Sequence, residues 1–276
     1  MGTRSLICVF WKGKWYIAQY TQFDGYPEGE GLKVFKFLTY GPDIDHLKAG
    51  LQNHIYEVTD DQLDAINREI QAWDRDQRQN NPEYDPWTSG SQQLYSTLSR
   101  TTGAGILRLV ANAGRTDGDS DKEGPFVGDG DKDAETESTK LPIYLDLEFA
   151  NSTLFCEWVY VVDLDKEVFE VYGGGEHKHR EHRFKDVGGP EAEVPAFVCS
   201  FTFREVSRMK NDKEFMDKVN EALEEGEKQR AERQDERKAQ QIADAEGSHS
   251  NVTSDDEEEN GEEDVVEGSA KGSPPP

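Results

Sequence analysis

No run of 18 or more apolar residues occurs in this 276-residue chain, and apolar side chains make up only 34 % of it, against about 45–50 % with glycine included for an average globular domain. The first lack leaves no candidate membrane-spanning helix. The second places much of the chain outside any core. Met1-Gly2-Thr3-Arg4 is not followed by the long apolar segment of a secretory leader, so a cytoplasmic or nuclear location is expected. Cysteine is scarce: Cys8, Cys156 and Cys199 are odd in number, far apart and set in apolar strand-like runs, which fits reduced core thiols better than a disulfide framework or a cysteine metal site. Basic residues are few as well, 31 Lys and Arg against 57 Asp and Glu, for a net charge of −26. A field of that sign repels phosphate backbones and anionic lipid headgroups, so neither nucleic acid nor membrane is an expected partner. A basic protein, met through an acidic tail, is.

The charge is uneven. Residues 113–140 carry nine acids and four bases, and residues 247–276 carry nine acids and one base. Neither stretch holds enough large apolar side chains to offset the entropy of ordering it. The first is therefore expected to be a disordered insertion and the second a disordered acidic tail. Asp117, Asp119 and Asp121 open like a calcium loop but lack its later Gly and Glu. Ser254, followed by Asp255, Asp256 and Glu257, is an acidophilic phosphorylation pattern.

Between these stretches the pattern predicts an α+β domain over residues 3–210, an antiparallel sheet with packed helices. Leu6–Trp11 and Trp15–Tyr20, split by Lys12-Gly13-Lys14, read as a hairpin. A turn-rich loop leads to Leu32–Tyr40, with Leu32, Phe35 and Leu38 at helical spacing. Thr59 with Gln62 is a capping-box signal, and Leu63, Ile66, Ile70 and Trp73 then mark one helix face. Shorter helical pieces are expected at Leu94–Leu98 and Ile106–Val110, and further strands at Leu141–Leu147, Leu154–Asp163, Val168–Tyr172 and Ala196–Phe203. Phe215, Val219 and Leu223 form a stripe that opens a charged helix over 211–246.

The most distinctive stretch is Gln19-Tyr20-Thr21-Gln22-Phe23-Asp24-Gly25-Tyr26-Pro27, continuing to Gly29 and Gly31. Gln22, Asp24 and Tyr26 supply an amide, a carboxylate and a phenol within five residues, and the glycines allow close approach to the backbone. It is not a phosphate loop, since the Walker spacing is absent and Asp24, Glu28 and Glu30 repel an anion. A cationic or neutral ligand suits it. Turn chemistry alone offers a plainer role, with Asp24 capping a turn and Gly25 at positive φ.

Gly2-Thr3-Arg4, the following strand and Gly-Lys turn, Ile17-Ala18-Gln19-Tyr20 and Asp24-Gly25-Tyr26-Pro27 resemble a family of uncharacterised proteins found in fungi, bacteria and phages. Cys156–Asp165 looks like the same family's second signature. The resemblance covers about half of the domain and implies no activity. A weaker similarity is to the N-terminal-nucleophile hydrolases, in which a terminal Thr, Ser or Cys opens a strand and its own α-amine acts as base. That similarity implies Thr3 as nucleophile. Apart from it, Arg4 is placed to orient a ligand carboxylate or to pair with Asp24.

Glu176–Arg183 holds three of the six histidines. On a strand His177 and His179 would share a face and His182 would not join them without a bend, so a polar loop is expected and no metal site is assigned. No cofactor is expected. The functional expectation is a non-enzymatic protein-interaction module presenting the Asp24 loop. The alternatives are a hydrolase or amidase acting through Thr3, and a metal-dependent enzyme using the histidines.

Overall fold

A computed structural model describes residues 2–85, 94–115 and 140–249. Ser254, most of the acidic insertion and the tail lie outside the described residues. The chain divides into two compact units, residues 1–226 and 227–276.

The first unit is an α+β domain around a five-stranded sheet. Strands β1 (Ser5–Trp11) and β2 (Lys14–Thr21) form the expected hairpin. Lys12 and Gly13 both take positive φ, 48° and 74°, as the two-residue turn that matches strand twist requires. A turn at Pro27–Gly31 leads into helix α1 (Leu32–Leu38). Helix α2 (Gly41–Asn53) follows, with Pro42 in its first turn, where a missing N–H costs nothing. The periodicity argument passed over α2, although Leu47 and Leu51 lie four apart and both are buried.

Strand β3 (Ile55–Glu57) precedes α3 (Asp60–Asn80), whose capping box forms as predicted between Thr59 and Gln62. On α3 only Ile70 is buried, and Leu63, Ile66 and Trp73 are half covered. The piece expected at Leu94–Leu98 is a short turn, Ser96–Leu98. Helix α4 is Gly105–Ala113.

The predicted strand at Leu141–Leu147 shortens to β4 (Leu141–Ile143), paired with β3. Strand β5 begins only at Trp158 and ends at Asp163, leaving Leu154 and Phe155 in an exposed approach. Strand β6 (Val168–His177) runs through Gly173–Gly175 and is longer than expected. Strand β7 (Glu193–Thr202), the single turn α5 (Phe203–Val206) and helix α6 (Asp212–His249) complete the order. Phe215 and Val219 on α6 are buried in the domain core. The described residues of the second unit, 227–249, are helical throughout.

The sheet order is β2-β1-β5-β6-β7. The expectation of an antiparallel sheet holds for three of the four pairs, and β1 with β5 is parallel. The Asp165 carboxylate, in the turn after β5, accepts the Lys12 and Gly13 N–H groups at 2.8 and 2.9 Å. The two hairpin turns are thereby fastened side by side, in line with the parallel register.

Successive residues of β1 and β5 alternate between two cores. Ile7, Val9, Tyr160 and Val162 face α1, α2, α4 and the start of α6. Leu6, Cys8, Val159 and Val161 face Ala150, Cys156 and Phe184. Burial on both faces is why these strands read as continuous apolar runs. It also raises the Cys8 and Cys156 thiol pKa values through desolvation, as inert core thiols require.

Candidate functional site

The Asp24 loop has a buried half and an exposed half, and the split follows residue type. β2 delivers the chain to Gln22, whose N–H donates to Arg100 O at 3.0 Å. Asp24 then takes φ 55°, the left-handed region that Asp tolerates better than most side chains. The positive φ expected of Gly25 therefore sits on its neighbour. Gly25 serves by its lack of a side chain: a β-carbon there would stand 2.6 Å from the carbonyl carbon of Arg4. That closeness lets the Gly25 N–H donate to Thr3 O at 2.9 Å.

Beneath the loop, the buried Tyr160 hydroxyl donates to Gly25 O at 2.8 Å. A β-carbon on Gly31 would meet the same Tyr160 ring at 2.9 Å. Burial is the first cause of a strongly raised pKa for this phenol, reinforced by Glu30 and Glu28, so it remains a donor at any physiological pH.

Glu30, grouped in the sequence with the loop's anion-repelling acids, points inward and is only 2 % exposed. Its carboxylate takes the Lys33 ammonium at 2.7 Å and the Ala104 N–H at 2.5 Å. Ala104 is the N-cap residue of α4, so an acid from one loop satisfies an orphan amide at the positive end of a distant helix. Periodicity had no means of finding this residue, because its partners are supplied by tertiary structure.

The outward half carries Phe23, Asp24, Tyr26 and Glu28. Phe23 and Tyr26 are 46 % and 40 % exposed. The Tyr26 hydroxyl donates to Asp24 Oδ1 at 3.3 Å, and the Asp24 charge leads the causes that raise its pKa. Next to this loop lies the start of β1. A β-carbon on Gly2 would stand 2.8 Å from the Phe23 ring. The Arg4 guanidinium lies 5.2 Å over the Phe155 ring, and the Arg4 N–H donates to Glu157 Oε1 at 3.3 Å.

Arg4 thus turns to Phe155 and makes no ion pair with Asp24. At this end of the sheet the Asp24 loop leaves Phe23 and Tyr26 exposed with Asp24 and Glu28, and the approach to β5 leaves Leu154 and Phe155 exposed with Glu157. Phe155 and Leu154 were missed as surface residues because Leu154–Asp163 reads as one uninterrupted strand.

Thr3 is half buried, with its carbonyl committed to Gly25. In this chain its nitrogen is acylated by Gly2, and its hydroxyl makes no hydrogen bond among the described residues. The structure therefore brings Thr3, Arg4, Asp24 and Tyr26 into one neighbourhood, with Gln22 half buried at its rim.

The histidine stretch folds differently from its expected alternation. His177 ends β6, and the chain then bends so that Glu176, His179 and His182 bring donor atoms within 4.8 Å of one another. They line one wall of a groove of about 880 Å³ that also includes Trp15, Tyr172 and Phe197. The bend that the strand alternation required for His182 to join is present, and it brings His182 to His179 and Glu176 and leaves His177 out of the group.

His182 is 4 % exposed, and both of its nitrogens are engaged. Nδ1 accepts the Phe184 N–H at 3.0 Å. Nε2 lies 2.9 Å from Pro195 O and 3.2 Å from Glu176 Oε1, both acceptors. Those partners fix the neutral Nε2–H tautomer and leave no lone pair for a metal. Burial lowers its pKa, outweighing the Pro195 carbonyl and the Glu176 carboxylate, which raise it. Only Glu176 and His179 retain free donor capacity, fewer than a metal centre needs.

Beside the groove, Arg183 grips Glu170 with Nε and Nη2 at 2.8 and 2.6 Å and reaches buried Asp163 at 2.6 Å. Comparison with protein-family models, with curated proteins and with solved structures finds no match in any of the three.

Proposed function

We propose that this protein is an interaction module that holds a basic, apolar segment of a partner protein at the Asp24 end of its sheet. The observation that carries the reading is that two segments meeting the start of β1, the Asp24 loop through Thr3 O and the approach to β5 through Arg4, leave Phe23, Tyr26, Leu154 and Phe155 exposed together with the acids Asp24, Glu28 and Glu157. Large apolar side chains grouped on a surface cost solubility and gain stability only when another molecule covers them. Asp24, Glu28 and Glu157 choose the sign of that molecule, because opposite charge at the rim speeds encounter and excludes acidic competitors. The loop bearing Phe23 and Tyr26 is held from below by Tyr160 and Glu30, so little ordering entropy opposes binding.

The test uses a peptide panel in which net charge and apolar content vary independently, applied to wild type, Asp24→Asn, which keeps a side chain suited to φ 55° while removing the charge, and Phe155→Ser. Binding confined to basic apolar peptides, and lost in both variants at unchanged melting temperature, is the expected result. Equal binding of acidic peptides, or binding that survives both substitutions, would refute the reading.

A further inference from the structure

Arg4 is the residue at which the two exposed segments meet. Its backbone lies against the Asp24 loop, where a β-carbon on Gly25 would stand 2.6 Å from the Arg4 carbonyl carbon and 2.8 Å from the Arg4 oxygen. Its side chain belongs to the approach to β5, with the guanidinium 5.2 Å over the Phe155 ring. Its N–H donates to Glu157 Oε1 at 3.3 Å. The residue is therefore held by both segments.

Exposed carboxylates stand on both of those segments, and the guanidinium uses none of them. Asp24 Oδ1 takes the Tyr26 hydroxyl at 3.3 Å, and Glu157 takes the Arg4 backbone N–H rather than the side chain. Among the described residues the Arg4 guanidinium makes no ion pair and no hydrogen bond, and the Phe155 ring is its partner. An aromatic ring attracts the guanidinium charge and leaves its five N–H donors to bond elsewhere.

The protein holds a second arginine over a ring, and there the donors are taken up. The Arg183 guanidinium lies 5.3 Å over the Phe10 ring. Its Nε and Nη2 bond the Glu170 carboxylate at 2.8 and 2.6 Å, and Nη2 reaches Asp163 at 2.6 Å. Arg183 finds its carboxylates within the chain because its side chain is only 10 % exposed. Arg4 is half buried at the surface, so a carboxylate can reach it from another molecule.

We infer that Arg4 receives one aspartate or glutamate side chain of the partner segment, in a two-pronged bond of the kind Arg183 makes with Glu170. This rests on the reading of the Asp24 end as an interaction surface and adds a specificity to it. Asp24, Glu28 and Glu157 repel a carboxylate at other points of that surface, and contact with Arg4 outweighs them at one. The partner is read as a pattern, cations towards the exposed acids and one acid at Arg4, and not by net charge alone. Lysine in place of Arg4 would serve less well, since it lacks the planar fork.

The test starts from a basic apolar peptide that binds the full-length wild-type chain. A single glutamate is moved along it, with a lysine added at one end to hold net charge constant, and affinity is read by fluorescence anisotropy. One position is expected to tighten wild-type binding about tenfold, and the remaining positions to weaken it. Arg4→Lys should keep part of that gain and Arg4→Met none. Each variant is scored by the ratio of glutamate peptide to parent peptide, which cancels any effect of the substitution on folding. A gain that persists in Arg4→Met, or no position at which glutamate tightens binding to wild type, overturns the proposal. If no basic apolar peptide binds wild type at all, the interaction reading itself fails and this one with it.

Discussion

Glu30→Ala removes the side chain that ties the Asp24 loop to α4, and its cost can be worked from the geometry. The carboxylate is almost wholly buried and accepts the Ala104 N–H at 2.5 Å. Losing a charge-assisted bond and stranding a buried amide costs about 2–3 kcal/mol. The Lys33 contact adds little, since its ammonium side is more than half exposed and such pairs contribute about 0–1 kcal/mol. Together the loss is about 3 kcal/mol, or roughly 6–12 °C in melting temperature for a domain of this size. Glu30→Gln keeps an oxygen for the amide while removing the charge at the helix terminus, so it should lose about 1 kcal/mol. Urea denaturation of the three proteins gives the comparison. A Glu30→Ala midpoint within error of wild type, or a Gln variant as damaged as the Ala variant, would refute the assignment of Glu30 as the helix cap.

Three further outcomes follow from named contacts. Asp24→Gly should leave stability unchanged or raise it by up to about 1 kcal/mol, while Asp24→Val should lower it by about 1–2 kcal/mol, because φ 55° suits glycine and penalises a β-branched residue; thermal melts separate the two. Arg183→Met should cost about 3–5 kcal/mol by stranding the buried Asp163 and Glu170 carboxylates, and Arg183→Lys less, since it retains charge but not the two-pronged grip; chemical denaturation reads both. His182 has a pKa below its unfolded value of about 6.5, so the fold favours the neutral ring. Its contribution is complete above that pH and falls away as acidification drives protonation. Wild type should therefore lose stability below about pH 6.5 more steeply than His182→Asn, and added zinc should not raise the melting temperature of either.

The local sequence carried the hairpin turn at Lys12-Gly13, the capping box at Thr59, the core stripe of Phe215 and Val219 and the buried state of Cys8 and Cys156. Each of these depends on residues within a few positions of one another, or on burial alone. The Asp24 loop was legible as unusual, and its chemistry was only half legible. Asp24 and Tyr26 do face outward, but Glu30 turns inward because an unpaired amide waits there, more than seventy residues along the chain. The α2 helix was missed because its two core leucines make a narrow stripe among polar residues.

Other features were decided by tertiary structure. The parallel pairing of β1 with β5 joins segments about 150 residues apart and leaves no mark in local periodicity. His182 reads as one more polar residue in a charged run until the bend after His177 seats it between Phe184 and Pro195. Sequence determined which segments are apolar, where they turn and which stretches carry the acid. Only the folded arrangement decided which buried polar groups find partners and which apolar residues remain uncovered, because those answers depend on neighbours that the chain brings together from a distance.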